Sequence, residues 1–181
     1  MEASRDTAAT AGLARAGSAD GAAAARALCS SHSLLIEARK RRAALGAFNA
    51  VDAATVSGIV RGAERVHCPV IVQTSTSTVR HTGWALLHSL VRETARQQTV
   101  PVVLHLDHCT DTEFVFQAIR SGWTSVMFDG SRLPLEENIV STRRVVEFAR
   151  EHGVTVEAEL GHIGGVEDGL AAGGHYRPVP V

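Results

Sequence analysis

His105-Leu106-Asp107-His108 puts two imidazoles and a carboxylate at the end of the apolar run Val100-Pro101-Val102-Val103-Leu104. Neutral imidazole is a common zinc ligand, and a carboxylate beside a metal can carry protons during catalysis. The chemistry offered by these residue types is therefore that of a divalent metal with a proton carrier next to it. The plain alternative is a strand end whose polar residues simply meet water.

Either reading needs an element to position the cluster. Val102, Val103 and Leu104 are apolar on both strand faces, the pattern of a strand buried in a parallel sheet. In such sheets the loops leaving the carboxyl ends converge on one crevice, so chemistry collects there. Successive strand side chains point to opposite faces, so Asp107 and His108 share a site only if the strand breaks between them.

Four further segments have strand patterns: Ala47-Phe48-Asn49-Ala50, Val70-Ile71-Val72-Gln73, Thr124-Ser125-Val126-Met127-Phe128, and residues 154–160. In the last of these Val154, Val156 and Ala158 share one face and Thr155, Glu157 and Glu159 the other. Helical patterns separate the strands. One starts near Leu34 with Ser31 or Ser33 as cap and stops at Gly46, and one over residues 53–66 is capped by Asp52. Others run over 84–97, over 112–121 closed by Gly122, and from Pro134 and Glu136-Glu137 to about His152. The run Thr74-Ser75-Thr76-Ser77-Thr78 could cap a helix or hold a phosphate, and nothing local separates these.

Crossovers of this length make the strands parallel. Their ends carry Gln73 to Ser75, His105 to His108, Asp129, and Glu157 with Glu159. The expected architecture is α/β, with the polar ends gathered at one edge of a (β/α)₈ barrel or of a doubly wound sheet. No Gly-x-Gly-x-x-Gly follows the first strand and no Gly-Lys-Ser/Thr loop occurs, which counts against nucleotide-binding versions. His108, Asp129 and Glu159 are then either metal ligands or a hydrogen-bonded cluster. His32, His67, His81 and His88 fall in helices or turns and His162 and His175 in a glycine-rich tail. These, and His105, are expected as surface or supporting residues.

The 181 residues carry a net charge of −1, with 45% hydrophobic and 20% charged residues, so no basic footprint for nucleic acid or an acidic membrane exists. Arg39-Lys40-Arg41-Arg42 suits a solvated helix C-terminus, where cations oppose the dipole. Cys29, Cys68 and Cys109 form no paired framework, which fits a reducing, cytoplasmic setting. No run approaches the roughly 18 apolar residues of a membrane span. Residues 1–30, rich in Ala, Gly, Ser and Arg, are expected to be a disordered leader, and residues 170–181 an irregular tail.

Three segments in order carry a resemblance to a known family: residues 100–108, residues 125–139 (Ser125-Val126-Met127-Phe128-Asp129-Gly130-Ser131 onwards) and residues 156–169 (Val156-Glu157-Ala158-Glu159-Leu160-Gly161 onwards). Together they closely resemble class II, metal-dependent ketose-bisphosphate aldolases, nearest the fructose- and tagatose-1,6-bisphosphate branch. The likeness spans about Leu34 to Gly169. It implies a (β/α)₈ TIM barrel, incomplete here at about five of eight βα units and occupying residues 31–169. It also implies a homo-oligomer, a phosphorylated sugar substrate, and zinc that polarises the carbonyl of dihydroxyacetone phosphate. On that resemblance Asp107 matches the acid/base acting on the hydroxyl of the glyceraldehyde-phosphate half. His108 matches a ligand of the catalytic zinc, and Asp129 and Glu159 match ligands of a second or alternative divalent position. Glu167 matches an acidic residue of a mobile loop implicated in proton transfer, and Asn49 and Ser75 fall where the family contacts substrate or phosphate. The family's Gly-Thr-x-His-Gly and Leu-His-Gly segments, which supply its other zinc histidines, do not occur. The expectation is a C-terminally truncated aldolase-type lyase. The alternatives are an inactive remnant or interaction module, and another metal-dependent barrel lyase.

Overall fold

The structure, a computed structural model, describes residues 28–161 and the backbone of 166–167 and 170–171. Helix α1 (His32–Arg41) leads to β1 (Gly46–Asn49), α2 (Ala53–Arg65), β2 (Val70–Ser75), the short α3 (Thr76–Thr82) and α4 (Trp84–Arg96). There follow β3 (Val102–Cys109), α5 (Thr112–Arg120), β4 (Ser125–Phe128), α6 (Leu135–Glu151) and β5 (Thr155–Ala158). A two-residue pair, β6 (Val166–Glu167) and β7 (Leu170–Ala171), is antiparallel.

Local chemistry accounts for most boundaries. Asp52 accepts from Thr55 N at 2.8 Å while Thr55 Oγ1 accepts from Asp52 N at 3.0 Å, a reciprocal box that starts α2. Asp111 accepts from the first amides of α5, and Glu136 and Glu137 sit in the first turn of α6, where the dipole favours them. Helix α1 stops earlier than Gly46, because Arg42 turns left-handed at φ 53 and closes the last turn; Gly46 instead opens β1. Arg39, Lys40 and Arg41 occupy that last turn, as expected for a solvated helix end. Leu28 to Ser30, inside the segment expected as a leader, are ordered: Leu28 bridges Val102 and Cys29 N donates to Val102 O at 3.0 Å.

The five strands are all parallel in the order β1-β2-β3-β4-β5, each beside its neighbour in sequence. A doubly wound sheet must reverse its strand order at a switch point, and this sheet does not. It is an arc of a barrel. One face of the arc carries the apolar core: Val70, Val72, Val102, Leu104, Leu106, Val126 and Phe128 pack with Val56, Val60, Leu87, Val91, Val115 and Val145 of the helices. At the β1 edge all four strand residues are exposed, and Phe48, Ile59, Val66 and Val70 line an apolar groove of about 560 Å³. No helix among the described residues is long and apolar enough to cross a membrane.

Glu64, at the end of α2, pins the turn before β3 by accepting from Thr99 N at 2.8 Å, Thr99 Oγ1 at 2.7 Å and Val100 N at 3.1 Å. Slight burial opposes ionisation, but these bonds outweigh it and hold the carboxyl below its ordinary 4.5. A depressed folded-state value contributes stability that is full above the unfolded value and is lost as pH falls through the folded one. Glu64→Gln is therefore expected to lower the urea midpoint by the equivalent of about 1 kcal/mol near neutral pH. The gap between variant and parent should close as pH drops below 4.5, and a gap independent of pH would refute the assignment.

Candidate metal centre

The strand that carries the cluster does not end at Asp107. It runs to Cys109 with a bulge, because Leu106 pairs with Val126 and Cys109 with Phe128, so three steps on β3 match two on β4. The extra residue is taken up at His108, whose φ is 44. Leu106 and Cys109, three residues apart, therefore both join the helix-side core, and Asp107 and His108 both face the other side. The break expected between them exists, as a bulge rather than a strand end.

Parallel register brings the rest of the site to that same face. His108 Nδ1 lies 3.2 Å from Asp129 Oδ2 and 3.5 Å from Glu159 Oε2. One donor atom from each of His108, Asp129 and Glu159 falls within 4.8 Å of the others. One imidazole and two carboxylates so close together suit a single divalent cation, with other positions left open. Burial opposes ionisation of Asp129, but its bonds to Ser131, whose N donates to Oδ1 at 3.0 Å, and the nearby His108 hold its carboxyl below the ordinary range. The carboxylate is thereby kept in the form a cation needs.

Glu159 is held by a residue that the sequence did not single out. Asn138 of α6 is buried and donates from Nδ2 to the Glu159 carbonyl at 2.8 Å, while its Oδ1 accepts from Thr142 Oγ1 at 3.0 Å. Gly130 makes room for it, since a Cβ there would stand 2.3 Å from Asn138 Oδ1. Gly130→Ala is expected to displace Asn138 and cost about 1–3 kcal/mol of stability. A thermal melt of the variant checks this, and an unchanged midpoint would show that Asn138 is not clamped.

A second group sits beside the first. His105 is only 3% exposed, so it is not a surface residue: its ring lies on the Asp107 face, with Nδ1 2.8 Å from Ser125 Oγ. Its Nε2 is 3.7 Å from Asp107 Oδ1 and 3.8 Å from Glu157 Oε2. Burial works against the charged form of Asp107, but His105, His108 and the Gln73 side chain together hold its carboxyl below the ordinary range. Cys29 and Cys109, both largely buried, have thiols pushed up to about 11 and are not nucleophiles.

Ser75 pairs in register with Asp107, and its hydroxyl caps α3 by accepting from Thr78 N at 3.2 Å. Asn49 is in register with Gln73, which is in register with His105, so it shares the face but stands two strands away. The side chain of Glu167 lies outside the described residues, as do His162 and His175. Gln73 could have been found from its place at a strand end. Asn138 and Ser125 gave no such signal, since both look like ordinary helix and strand residues until the fold is known.

The chain matches the family model for class-II fructose-bisphosphate aldolase over residues 29–179. It is 43% identical over 151 residues to a 6-phospho-5-dehydro-2-deoxy-D-gluconate aldolase of Bacillus velezensis, covering 81% of this chain and 51% of that protein. It is 40% identical over 156 residues to a fructose-bisphosphate aldolase of Streptococcus pyogenes serotype M3, covering 84% and 53% respectively. Among solved structures, the YdjI aldolase of Escherichia coli K12 superposes with a TM-score of 0.70 at 33% identity, covering 75% of this chain and 52% of that one. The chain thus spans about half the length of the curated relatives it matches. With a sequential parallel arc that superposes on an aldolase barrel, and a family match over most of its length, the chain belongs to the class-II fructose-bisphosphate aldolase family.

Proposed function

We propose that this chain carries the metal-binding and proton-transfer half of a class II aldolase site. The reaction is reversible zinc-dependent cleavage of a ketose 1,6-bisphosphate, fructose or tagatose, to dihydroxyacetone phosphate and glyceraldehyde 3-phosphate. The observation that carries this reading is the convergence of His108, Asp129 and Glu159 on one point, with Asp107 on the same face one residue away. These three side chains would hold the cation, with one divalent ion bound and a second position close by. Zinc supplies a Lewis acid for the ketone oxygen of the triose half. Asp107 takes the proton from the C4 hydroxyl as the C3–C4 bond breaks and returns it in the condensation direction. Burial opposes ionisation, but His105, His108 and Gln73 hold Asp107 in the carboxylate form, the form that can take a proton. Glu167 is the second proton carrier, and Asn49 and Ser75 contact the substrate or its phosphate. The aldolase-type segment is residues 31–169, and the working form is a homo-oligomer.

A second substrate reading has its own support, because the Bacillus relative is named for 6-phospho-5-dehydro-2-deoxy-D-gluconate. That compound has its ketone at C5 beside the phosphate-bearing carbon, so retro-aldol cleavage between C3 and C4 releases the same three-carbon ketone phosphate. A second functional reading, an inactive module that needs a partner, is favoured by the exposed β1 edge and the groove behind it. One experiment separates these. Purified chain is assayed for zinc by elemental analysis and for dihydroxyacetone phosphate release from the three sugars. One zinc per chain with turnover on one sugar is expected; zinc below stoichiometry with no turnover leaves the inactive module.

A further inference from the structure

We propose that His105 is a positioning residue for Asp107: its Nε2–H holds Asp107 Oδ1, leaves the other carboxylate oxygen free for the substrate hydroxyl, and has Glu157 as its second acceptor. This rests on the aldolase reading above and deepens it. The ring is set by what lies behind it. Ser31 Oγ donates to Ser125 Oγ at 3.4 Å, so the Ser125 proton is available to be donated to His105 Nδ1, 2.8 Å away. With Nδ1 accepting, the imidazole proton is on Nε2.

That N–H points at the site. Nε2 is fully buried and has no hydrogen-bond partner among the described residues, and a buried donor left unmade is costly. Asp107 Oδ1 at 3.7 Å and Glu157 Oε2 at 3.8 Å flank it, so a small shift of either carboxylate satisfies it. The backbone cannot drift, because Thr74 Oγ1 donates to the His105 carbonyl at 2.9 Å and Trp123 Nε1 donates to that same Thr74 oxygen at 3.0 Å. The residue is thus held at Nδ1 by Ser125 and at its carbonyl by Thr74, and its one unsatisfied ring atom among the described residues faces the proton carrier. Glu157 is largely exposed, so it can move to meet the ring while Asp107 is engaged with substrate.

The test uses the full chain with ¹⁵N-labelled histidine, loaded with zinc, and His105 assigned by loss of its signal in His105→Gln. Long-range proton–nitrogen correlation is expected to find the proton on Nε2, and the Nε2 resonance should move in Asp107→Asn. His105→Phe should lower kcat by about 10- to 100-fold with KM and zinc content unchanged, and His105→Gln, whose amide nitrogen can reach the Nε2 position, should recover most of it. A proton on Nδ1, an Nε2 signal indifferent to Asp107→Asn, or a Phe variant as active as the parent would overturn the proposal. If His105→Phe does not fold, the Gln variant and the resonance shift decide. If the parent chain cleaves none of the sugars, the aldolase reading fails, and the tautomer and its response to Asp107→Asn alone judge the contact.

Discussion

Asp107→Ala is expected to lower sugar-phosphate cleavage by about 10²- to 10⁴-fold while zinc stays bound, the range spanned by removal of a positioned acid or base. The separation of the two readouts follows from the geometry. His108, Asp129 and Glu159 share donor atoms within 4.8 Å of one another, and Asp107 is outside that group. Removing its carboxylate takes away the proton carrier and leaves the cation's donors in place. Asp107→Asn is the matching control, since it keeps the shape and the contacts to Gln73 but cannot take a proton. Steady-state kcat with zinc measured on the same sample checks both variants. Loss of zinc in step with activity, or a rate unchanged in either variant, would remove Asp107 from this role.

The second large effect is on metal binding. In His108→Ala zinc affinity should fall by more than about 100-fold, the upper size seen when groups merely supporting a ligand are removed. The imidazole is the sole nitrogen donor of the group, and it also lies between Asp129 and Glu159, at 3.2 Å and 3.5 Å. Without it two carboxylates face each other with no imidazole between them. The backbone complicates this substitution in a useful way. At φ 44 any residue with a Cβ is strained, by roughly 1 kcal/mol, and glycine is not. His108→Gly should therefore melt no lower than His108→Ala and still fail to hold zinc. Competition titration against a chelator measures the affinity, and a Gly variant that binds like the parent would mean that the centre lies elsewhere.

Much of the site could be read from the one-dimensional pattern because its components sit at strand ends that are easy to recognise. Apolar runs such as Val102-Val103-Leu104 can be satisfied only by burial on both faces, and the polar residues after each run then fall on one edge. The alternation over Val154 to Glu159 correctly separates Val156, on the core side, from Glu157 and Glu159 on the site side. Asp52 and Asp111 cap the helices that follow them because a side-chain oxygen next to free amides acts locally.

His105 was less legible. A histidine two residues before a candidate acid reads as a spare, and its value depends on Ser125 twenty residues later and Ser31 far earlier in the chain. Asn138 is similar: nothing in the first turns of a long helix says that one amide will reach the carbonyl of Glu159 or that Gly130 must stay bare beneath it.

Sequence alone determined the alternation of strands and helices, their parallel direction, and which acidic and imidazole side chains arrive at the carboxyl edge. These follow from periodicity and capping, which act over a few residues. Tertiary structure decided that the strand order runs straight from β1 to β5, and that one extra residue between Leu106 and Cys109 turns Asp107 and His108 to the same face. Register is a property of two strands at once. A side chain's face can therefore be known at a bulge only when the neighbouring strand, here β4, is in place to count against.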